Sequence, residues 1–303
     1  MQILDLPRIK RVLDYREVIG RMREALIAFS RGECDTPMPM HLDIADRHAE
    51  VHMKSSYRRG GRHFALKIAA TFPGSVGNGM MLLSSAETGE PIAFFADRGH
   101  LTDVRTAAVS AMVARELGRD DRVLGIIGTG IQARLTAAVH AAALDLERIV
   151  IWGRSQDRAE RCVGEVRELV PRAVVEIASS PTAVASAARL IVTCTAAREP
   201  LLRATDVAPG THISAVGSDS PGKQELDPSI LRDASLILAD SRRQCEKLGE
   251  LQHAPGLLNR TVEIGEFCDR PTGFDRNGIT VCDFTGLGVE DLYIAEYVYE
   301  RTA

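Results

Sequence analysis

Lys67 stands in a stretch where small and polar residues alternate with larger apolar ones, a pattern typical of a β-strand. Ala65, Lys67 and Ala69 would share one face, which surrounds the lysine with small side chains. Because burial lowers the pKa of a lysine, Lys67 could act as an acid or a base near neutral pH. The alternative is a lysine on an edge strand whose ammonium group reaches solvent. The sequence leaves both interpretations open.

Arg105 follows Thr102 and Asp103, which we interpret as the cap of a long helix that runs to about Gly118. A cation in the first turn of a helix opposes the helix dipole. Arg105 is therefore better explained if it contributes to a site for an anion such as a carboxylate. The alternative is a simple ion pair with Asp103.

An apolar run from Val123 to Ile127 ends at a glycine turn, Gly128-Thr-Gly130-Ile-Gln-Ala133, and an alanine-rich stretch follows. Strand, glycine turn and helix in this order are typical of the phosphate-binding opening of a dinucleotide fold. The helix would begin with unpaired N–H groups and the positive end of its dipole, which favours an anion. A second strand, Arg148–Trp152, follows at the spacing of a βαβ unit and favours this interpretation.

The end of that second strand predicts which dinucleotide binds. NAD-binding folds commonly place an acidic residue there, where it binds the ribose hydroxyls. This chain has Gly153-Arg154-Ser155 instead. Arg154 could pair with a 2′-phosphate through charge-assisted hydrogen bonds, and Ser155 could add a donor. NADP(H) is favoured, with NAD(H) as the alternative. Arg154 could also be a solvated surface residue and Ser155 a plain helix cap.

Asp219 follows an apolar strand in the turn Ala215-Val-Gly-Ser-Asp-Ser-Pro-Gly222. Such a turn lies at the carboxyl edge of a parallel sheet, where doubly wound folds bind ligands, so Asp219 could face a nicotinamide. The alternative is an Asx turn before Ser-Pro-Gly.

Two textures divide the chain and predict two domains. The first part contains an amphipathic helix (Asp14–Arg31) and a series of strands that we interpret as an antiparallel meander. The second part alternates apolar strands with helices, which indicates a doubly wound parallel sheet of Rossmann type. We predict an α/β chain with a smaller α+β substrate and dimerisation domain at 1–118, joined by a C-terminal helix at 289–303, and a dinucleotide domain at 119–288. The predicted strands are 51–57, 64–70, 80–85 and 92–96 in the first domain, and 123–127, 149–152, 174–177, 190–194, 212–216, 236–239 and 279–282 in the second. Residues 266–277 are predicted to form a polar loop.

Composition excludes several classes of protein. Of 303 residues, 45% are hydrophobic and 26% charged, which supports a packed core. The net charge of −4 carries no basic block, so we expect no nucleic-acid partner. No apolar run approaches the roughly 20 residues of a membrane helix. Six scattered cysteines without a C-x-x-C motif favour reduced thiols in the cytoplasm. His41, His48 and His52 lie among acidic residues but match no metal motif, and we expect no metal site.

Together these segments resemble the ornithine cyclodeaminase/mu-crystallin family over nearly the whole chain. His52-Met-Lys-Ser-Ser-Tyr57 is most similar to a branch that includes ectoine-utilisation cyclodeaminase-like proteins. The resemblance rests on Phe64–Lys67, Glu87–Pro91, Leu101–Ala108, Gly125–Ala133, Val192–Thr195, Val216–Leu226 and Thr285–Leu292.

The resemblance implies a Rossmann domain, a substrate domain that dimerises through its sheet, and chemistry at the Cα–N bond of a small amino or imino acid. Lys67 would bind the substrate carboxylate or exchange a proton with its nitrogen, Arg105 would hold the carboxylate, and Asp219 would handle the proton of the amine or imine. Thr129, Gly130, Ile131 and Gln132 would wrap the pyrophosphate, and Thr193 and Thr195 would line the cofactor. Reduction of a ketimine or dehydrogenation of an amino acid is the leading function. The alternatives are a redox-neutral cyclodeaminase that releases ammonia and an NADPH-binding protein without turnover.

Two departures from the family pattern bear on the substrate and the cofactor. Many members have an arginine after a proline as a second carboxylate contact, whereas this chain has methionine in Pro37-Met-Pro-Met-His41. Lys54 could supply the lost charge from a neighbouring strand. Arg154 differs from the acidic residue of members that hold NAD tightly, and an exchanging NADPH suits net reduction.

Overall fold

The computed structural model describes residues 1–73 and 78–302. Its contacts divide the chain into two units, Met1–Arg105 with Leu287–Ala303, and Thr106–Gly286. The sequence placed the first boundary near Gly118, whereas this division falls inside the long helix that precedes it. The functions assigned to the two domains remain predictions.

The first unit is built on a seven-stranded sheet. Its strands are β1 (Gln2–Asp5), β2 (Cys34–Asp35), β3 (Met40–Ile44), β4 (Ala49–Arg58), β5 (His63–Thr71), β6 (Asn78–Ser85) and β7 (Pro91–Ala96). Strands β4 to β7 form the predicted antiparallel meander. Strand β1 was not predicted; it lies at one edge, parallel to β7. Strands β2 and β3 both pair with β4 at the other edge.

Helices cover one face of this sheet. They are α1 (Leu6–Val12), α2 (Tyr15–Ser30), the start of α3 (His100–Glu116) and α10 (Gly288–Thr302), with a 3₁₀ turn at Ala45–Arg47. Helix α2 begins where predicted, because the Asp14 carboxylate accepts from the backbone N–H groups of Arg16 and Glu17. Helix α10 packs on α2 and on β4 and β5.

The predicted cap of α3 is wrong. The helix begins at His100, two residues before Thr102, so Arg105 lies in its second turn. The Asp97 carboxylate accepts from the N–H groups of Gly99 and Leu101, at 3.2 and 2.7 Å, and satisfies donors at the helix start.

The second unit contains an eight-stranded parallel sheet in the order β10-β9-β8-β11-β13-β17-β15-β16. Its strands are β8 (Val123–Ile127), β9 (Arg148–Trp152), β10 (Val174–Ile177), β11 (Leu190–Thr193), β13 (His212–Ala215), β15 (Leu236–Ala239), β16 (Thr261–Glu263) and β17 (Thr280–Asp283). A separate parallel pair consists of β12 (Arg198–Leu202) and β14 (Gln224–Leu226). Strands β12, β14 and β16 were not predicted.

Helices flank both faces of this sheet, and two buried apolar clusters form the core, which confirms the predicted Rossmann-type fold. The helices are α4 (Ile131–Ala143), α5 (Gln156–Leu169), α6 (Pro181–Ala187), α7 (Pro228–Asp233), α8 (Arg242–Leu248) and α9 (Ile264–Asp269), with 3₁₀ turns at Ala204–Asp206, Glu250–His253 and Pro255–Arg260. Helix α9 occupies the start of the segment predicted as the loop 266–277. Among the described residues, no helix combines the length and apolar composition needed to cross a bilayer.

Candidate functional site

The glycine turn after β8 has the geometry that the sequence predicts. Gly128 has a φ of +139°, and a Cβ there would lie 2.7 Å from the Cys194 carbonyl oxygen, so only glycine fits. Gly130 is the N-cap of α4 and has no side chain with which to cap it. A Cβ built on Gly130 would meet nothing within 4 Å. The start of α4 is thus open to a ligand that accepts hydrogen bonds.

Arg134 holds this turn from behind and was missed in the sequence. Its Nη1 donates to the carbonyl oxygens of Thr129 and Gly130, at 2.8 and 2.9 Å. Its guanidinium also pairs with Glu165 on α5. Arg134 therefore fixes the carbonyls of the turn and adds positive charge close to the start of α4, where a phosphate would bind.

A cavity of about 610 Å³ opens at this turn. Gly153 and Thr129 lie against each other in its wall, so a side chain at Gly153 would overlap the methyl group of Thr129. The lining residues are Gly128, Thr129, Gly130, Trp152, Gly153, Arg154, Ser155, Arg158, Cys194, Thr195, Ala196, Ala197 and Leu201. The cavity lies at the carboxyl ends of β8, β9 and β11, where doubly wound sheets bind dinucleotides, and its glycine-lined wall fits a pyrophosphate.

The end of β9 adds two arginines to the cavity, Arg154 and Arg158. Both side chains are exposed, and within the described part of the chain neither guanidinium takes part in an ion pair. Ser155 is the N-cap of α5, yet its hydroxyl makes no capping hydrogen bond there. Ser155 thus has the cap position of the sequence alternative, and its predicted contact with a 2′-phosphate remains a prediction. Arg158, in the first turn of α5, is a further cavity residue that was not predicted.

Of the other predicted cofactor contacts, Ile131, Gln132 and Thr193 lie outside the cavity wall, whereas Thr195 belongs to it. Ile131 begins α4 and is 45% exposed, and Gln132 follows it. Thr193 is fully buried and donates its hydroxyl to Glu225 at 2.7 Å, so it lies behind the wall. Thr195 lines the cavity and also donates to Glu225.

In the first unit, Lys67 lies on β5, between β4 and β6, and is only 3% exposed. The interpretation as an edge lysine is therefore wrong. Lys54 on β4 is its direct cross-strand partner, so both side chains leave the same face of the sheet. Like charges placed directly opposite each other destabilise a sheet. An anion between the two lysines would offset that repulsion, so the pair suits a site for a carboxylate.

Arg105 is buried, at 3% exposure, and contacts two carboxylates of α10. Its Nη1 lies 2.7 Å from Glu290 Oε2, and its Nε lies 3.2 Å from Asp291 Oδ1. Both acidic residues are also buried. These partners were not predicted, and they join α3 to the N-terminal turn of α10. The predicted contact of Arg105 with a substrate carboxylate would come in addition to these two ion pairs and remains a prediction.

Asp219 follows β13 in the second unit, as predicted, and its side chain is 51% exposed. Its Oδ1 accepts from Lys223 Nζ at 2.6 Å and from the Ser220 hydroxyl at 3.1 Å. Its proposed role in proton handling remains a prediction.

Two histidines of the cluster contact acidic side chains on the β3–β4 hairpin. His41 Nε2 lies 2.8 Å from Asp43, and His52 Nε2 lies 3.3 Å from Glu50. Within residues 1–73 and 78–302, no group of three or more His, Cys, Asp or Glu side chains is arranged to hold a metal ion.

Comparison with known proteins agrees with this geometry. The sequence profile of the ornithine cyclodeaminase/mu-crystallin family matches residues 2–303. An uncharacterized cyclodeaminase of Sinorhizobium fredii is 38% identical over 281 residues, which cover 88% of this chain and 84% of that protein. A Delta(1)-pyrroline-2-carboxylate reductase of Bacillus cereus is 29% identical, over 99% of this chain and 96% of the reductase. An archaeal alanine dehydrogenase, a dimer with bound NAD, superposes with a TM-score of 0.90 at 27% identity, covering 100% of this chain and 96% of the dehydrogenase.

Proposed function

The chain belongs to the ornithine cyclodeaminase/mu-crystallin family, and we propose that it reduces the C=N bond of a small α-imino acid with NADPH. The observation that carries this proposal is the cavity at the glycine turn, which Arg154 and Arg158 line beyond the end of β9. A 2′-phosphate carries negative charge that two unpaired guanidinium groups would bind. The relatives include a reductase of a cyclic imino acid, which supports this substrate class.

When bound, the reduced nicotinamide supplies a hydride to Cα of the imine. We assign the rest of the chemistry to side chains of the chain. Lys67 and Arg105, with Lys54, hold the substrate carboxylate by charge. Lys67 or Asp219 keeps the imine nitrogen protonated, because a protonated imine accepts hydride more readily and a nearby carboxylate stabilises its positive charge. The product is the corresponding amino acid.

The direct test mixes the pure protein with pyrroline-2-carboxylate and either NADPH or NADH, and follows the loss of the reduced-nicotinamide absorbance. We expect turnover with NADPH to exceed that with NADH. No loss with either cofactor would contradict the reductase proposal. Equal rates would contradict the role of Arg154 and Arg158 but leave the reductase standing.

Lys67 supplies a second test. The variant Lys67→Ala should lose turnover and still bind NADPH, because Lys67 belongs to the first unit and the dinucleotide cavity to the second. Lys10→Ala, at an exposed position of the same unit, is the matched control and should keep both properties. Near-normal turnover by Lys67→Ala would show that the lysine has another role.

A redox-neutral cyclodeaminase is the second candidate, because the relative at 38% identity carries that name. It predicts ammonia release from a diamino acid with catalytic NAD and no net change in the redox state of the cofactor. Arg154 argues against the cyclodeaminase, because family members that hold NAD tightly favour an acidic residue at that position.

We also propose that the chain forms a homodimer through the sheet of the first unit. On the face opposite Lys67, the register aligns Ile3, Phe94, Leu82 and Leu66 in one row across four strands. Ile3 is 65% exposed, and the other three are partly exposed. A contiguous apolar patch of this kind is typical of a protein interface.

A further inference from the structure

Glu225 is a buried carboxylate at the centre of the second unit. It lies on β14 and is fully inaccessible to solvent. Its Oε1 accepts from the backbone N–H and the hydroxyl of Thr195, at 2.6 and 2.7 Å. Its Oε2 accepts from the Thr193 hydroxyl at 2.7 Å and from the Gly217 N–H at 2.8 Å. Each oxygen therefore has two donors, which is about its full capacity.

These donors belong to two neighbouring strand ends. Thr193 is the last residue of β11, and Gly217 follows β13, which pairs with β11 in parallel. A Cβ at Gly217 would lie 2.6 Å from the Glu225 carboxyl, so the backbone closes directly on it. Glu225 thus joins the loop that carries Thr195 in the cavity wall to the loop that carries Asp219.

The donors also favour the charged form of Glu225. A backbone N–H can only donate, and each oxygen of Glu225 receives one. Burial raises the pKa of Glu225, and the four hydrogen bonds act against that rise. An amide in place of the carboxylate would bring its NH₂ group against one of the two N–H donors.

A second pair of buried acids holds Glu225 itself. Glu250 Oε1 accepts from the Glu225 N–H at 2.7 Å, and Asp283 Oδ1 accepts from the Glu250 N–H at 2.9 Å. The three carboxylates form a series that runs from the core strand β17 to the wall of the cavity. Only Glu225 contacts a residue that lines the cavity.

We propose that Glu225 is a positioning residue that sets cofactor affinity, because it holds the Thr195 side of the dinucleotide cavity in place from behind. The proposal rests on the proposed cofactor site. It assigns a role to the acidic residue of the segment Lys223-Gln-Glu-Leu226, which neither the cavity nor the proposed chemistry otherwise uses.

The test titrates NADPH into the wild-type protein and into Glu225→Gln, with protein fluorescence as the readout. Losing hydrogen bonds to a charged group should raise the dissociation constant about 10- to 100-fold. Glu250→Gln is the matched control, because Glu250 is equally buried and touches no cavity residue, and a glutamine keeps one oxygen that can accept from the Glu225 N–H. It should bind NADPH within about twofold of the wild type.

A milder pair of variants keeps the test decisive if Glu225→Gln does not fold. Thr193→Val removes one donor to Glu225 without changing shape, and Thr193→Ser keeps that donor. We expect weaker NADPH binding by the valine variant and recovery by the serine variant, although residue 193 does not line the cavity.

Three outcomes would overturn the proposal. Glu225→Gln could fold and bind NADPH like the wild type, or Glu250→Gln could weaken binding as much as Glu225→Gln does, which would reveal a general structural role. If the wild-type protein binds neither NADPH nor NADH, the proposed cofactor site is wrong as well.

Discussion

Replacing Arg105 with leucine should destabilise the first unit far more than the loss of a surface ion pair would. Arg105 is 3% exposed and contacts Glu290 at 2.7 Å and Asp291 at 3.2 Å. Removing one partner of a buried ion pair costs about 3–5 kcal/mol, since the remaining charge stays in a medium of low polarity. Here two carboxylates lose the same cation, so we expect a loss within that range even though leucine is well tolerated in a core.

Urea unfolding without substrate or cofactor, followed by circular dichroism, measures this loss apart from any role of Arg105 in binding. Arg21→Leu is the matched control. Arg21 joins α2 to α10 through Glu300 at 2.9 Å, but its side chain is 36% exposed. Such a pair contributes about 0–1 kcal/mol.

Equal losses for the two variants would refute the reasoning, because they would mean that solvent screens the Arg105 cluster as it screens a surface pair. A triple variant gives a further check. Glu290→Gln and Asp291→Asn remove the stranded charges in the Arg105→Leu background and should recover part of the lost stability. If they lower it further, charge is not the cause of the loss.

Three other changes have defined outcomes. Gly153→Ala places a methyl group against Thr129 in the cavity wall, so NADPH should bind at least about tenfold more weakly in a fluorescence titration, and unchanged affinity would contradict the cavity geometry. Burial raises the pKa of Glu250 to about 9, so the folded chain binds this proton more tightly than the unfolded chain does, and the stability that this gives is lost as pH rises from about 5 to 9. In urea unfolding, Glu250→Gln should therefore gain stability relative to the wild type over that interval. A constant difference would show that Glu250 does not titrate there. Leu82→Glu on the apolar sheet face should convert the dimer to a monomer in light scattering after gel filtration, while Thr88→Glu in the exposed β6–β7 turn should not.

The parallel sheet was readable from the sequence because its strands are buried on both faces. Val123–Ile127 and Leu236–Ala239 are such strands and have the predicted bounds. Val174–Ile177 also has the predicted bounds, although it is an edge strand with three exposed residues. Helices on both sides of the sheet require near-continuous apolar runs, and turns or helix caps end them. The glycine turn was readable for a related reason, since its residues act within a few positions of one another.

The short strands were not predicted because three or four residues are too few to show a periodic pattern of apolar side chains. Strand β14 spans Gln224–Leu226 and β16 spans Thr261–Glu263. Strand β1, at Gln2–Asp5, has one buried residue and depends on β7, which lies about ninety positions later in the chain, for its pairing. Three or four residues fit a strand, a turn or a helix start equally well, and only their tertiary partners decide between these.

The residues of the candidate site also differ in how far a local sequence pattern predicts their surroundings. Alternation along one strand identified the neighbours of Lys67 on its face of the sheet, but its burial depends on the position of β5 between β4 and β6. Arg105 and Glu225 are buried just as fully, but their partners lie 185 and 30 residues away, so no local pattern predicts these contacts. A charged residue in such a position is stable only if distant donors or countercharges converge on it. In this chain those converging contacts hold the start of α10 and the wall of the dinucleotide cavity, and they depend on residues that are distant in the sequence.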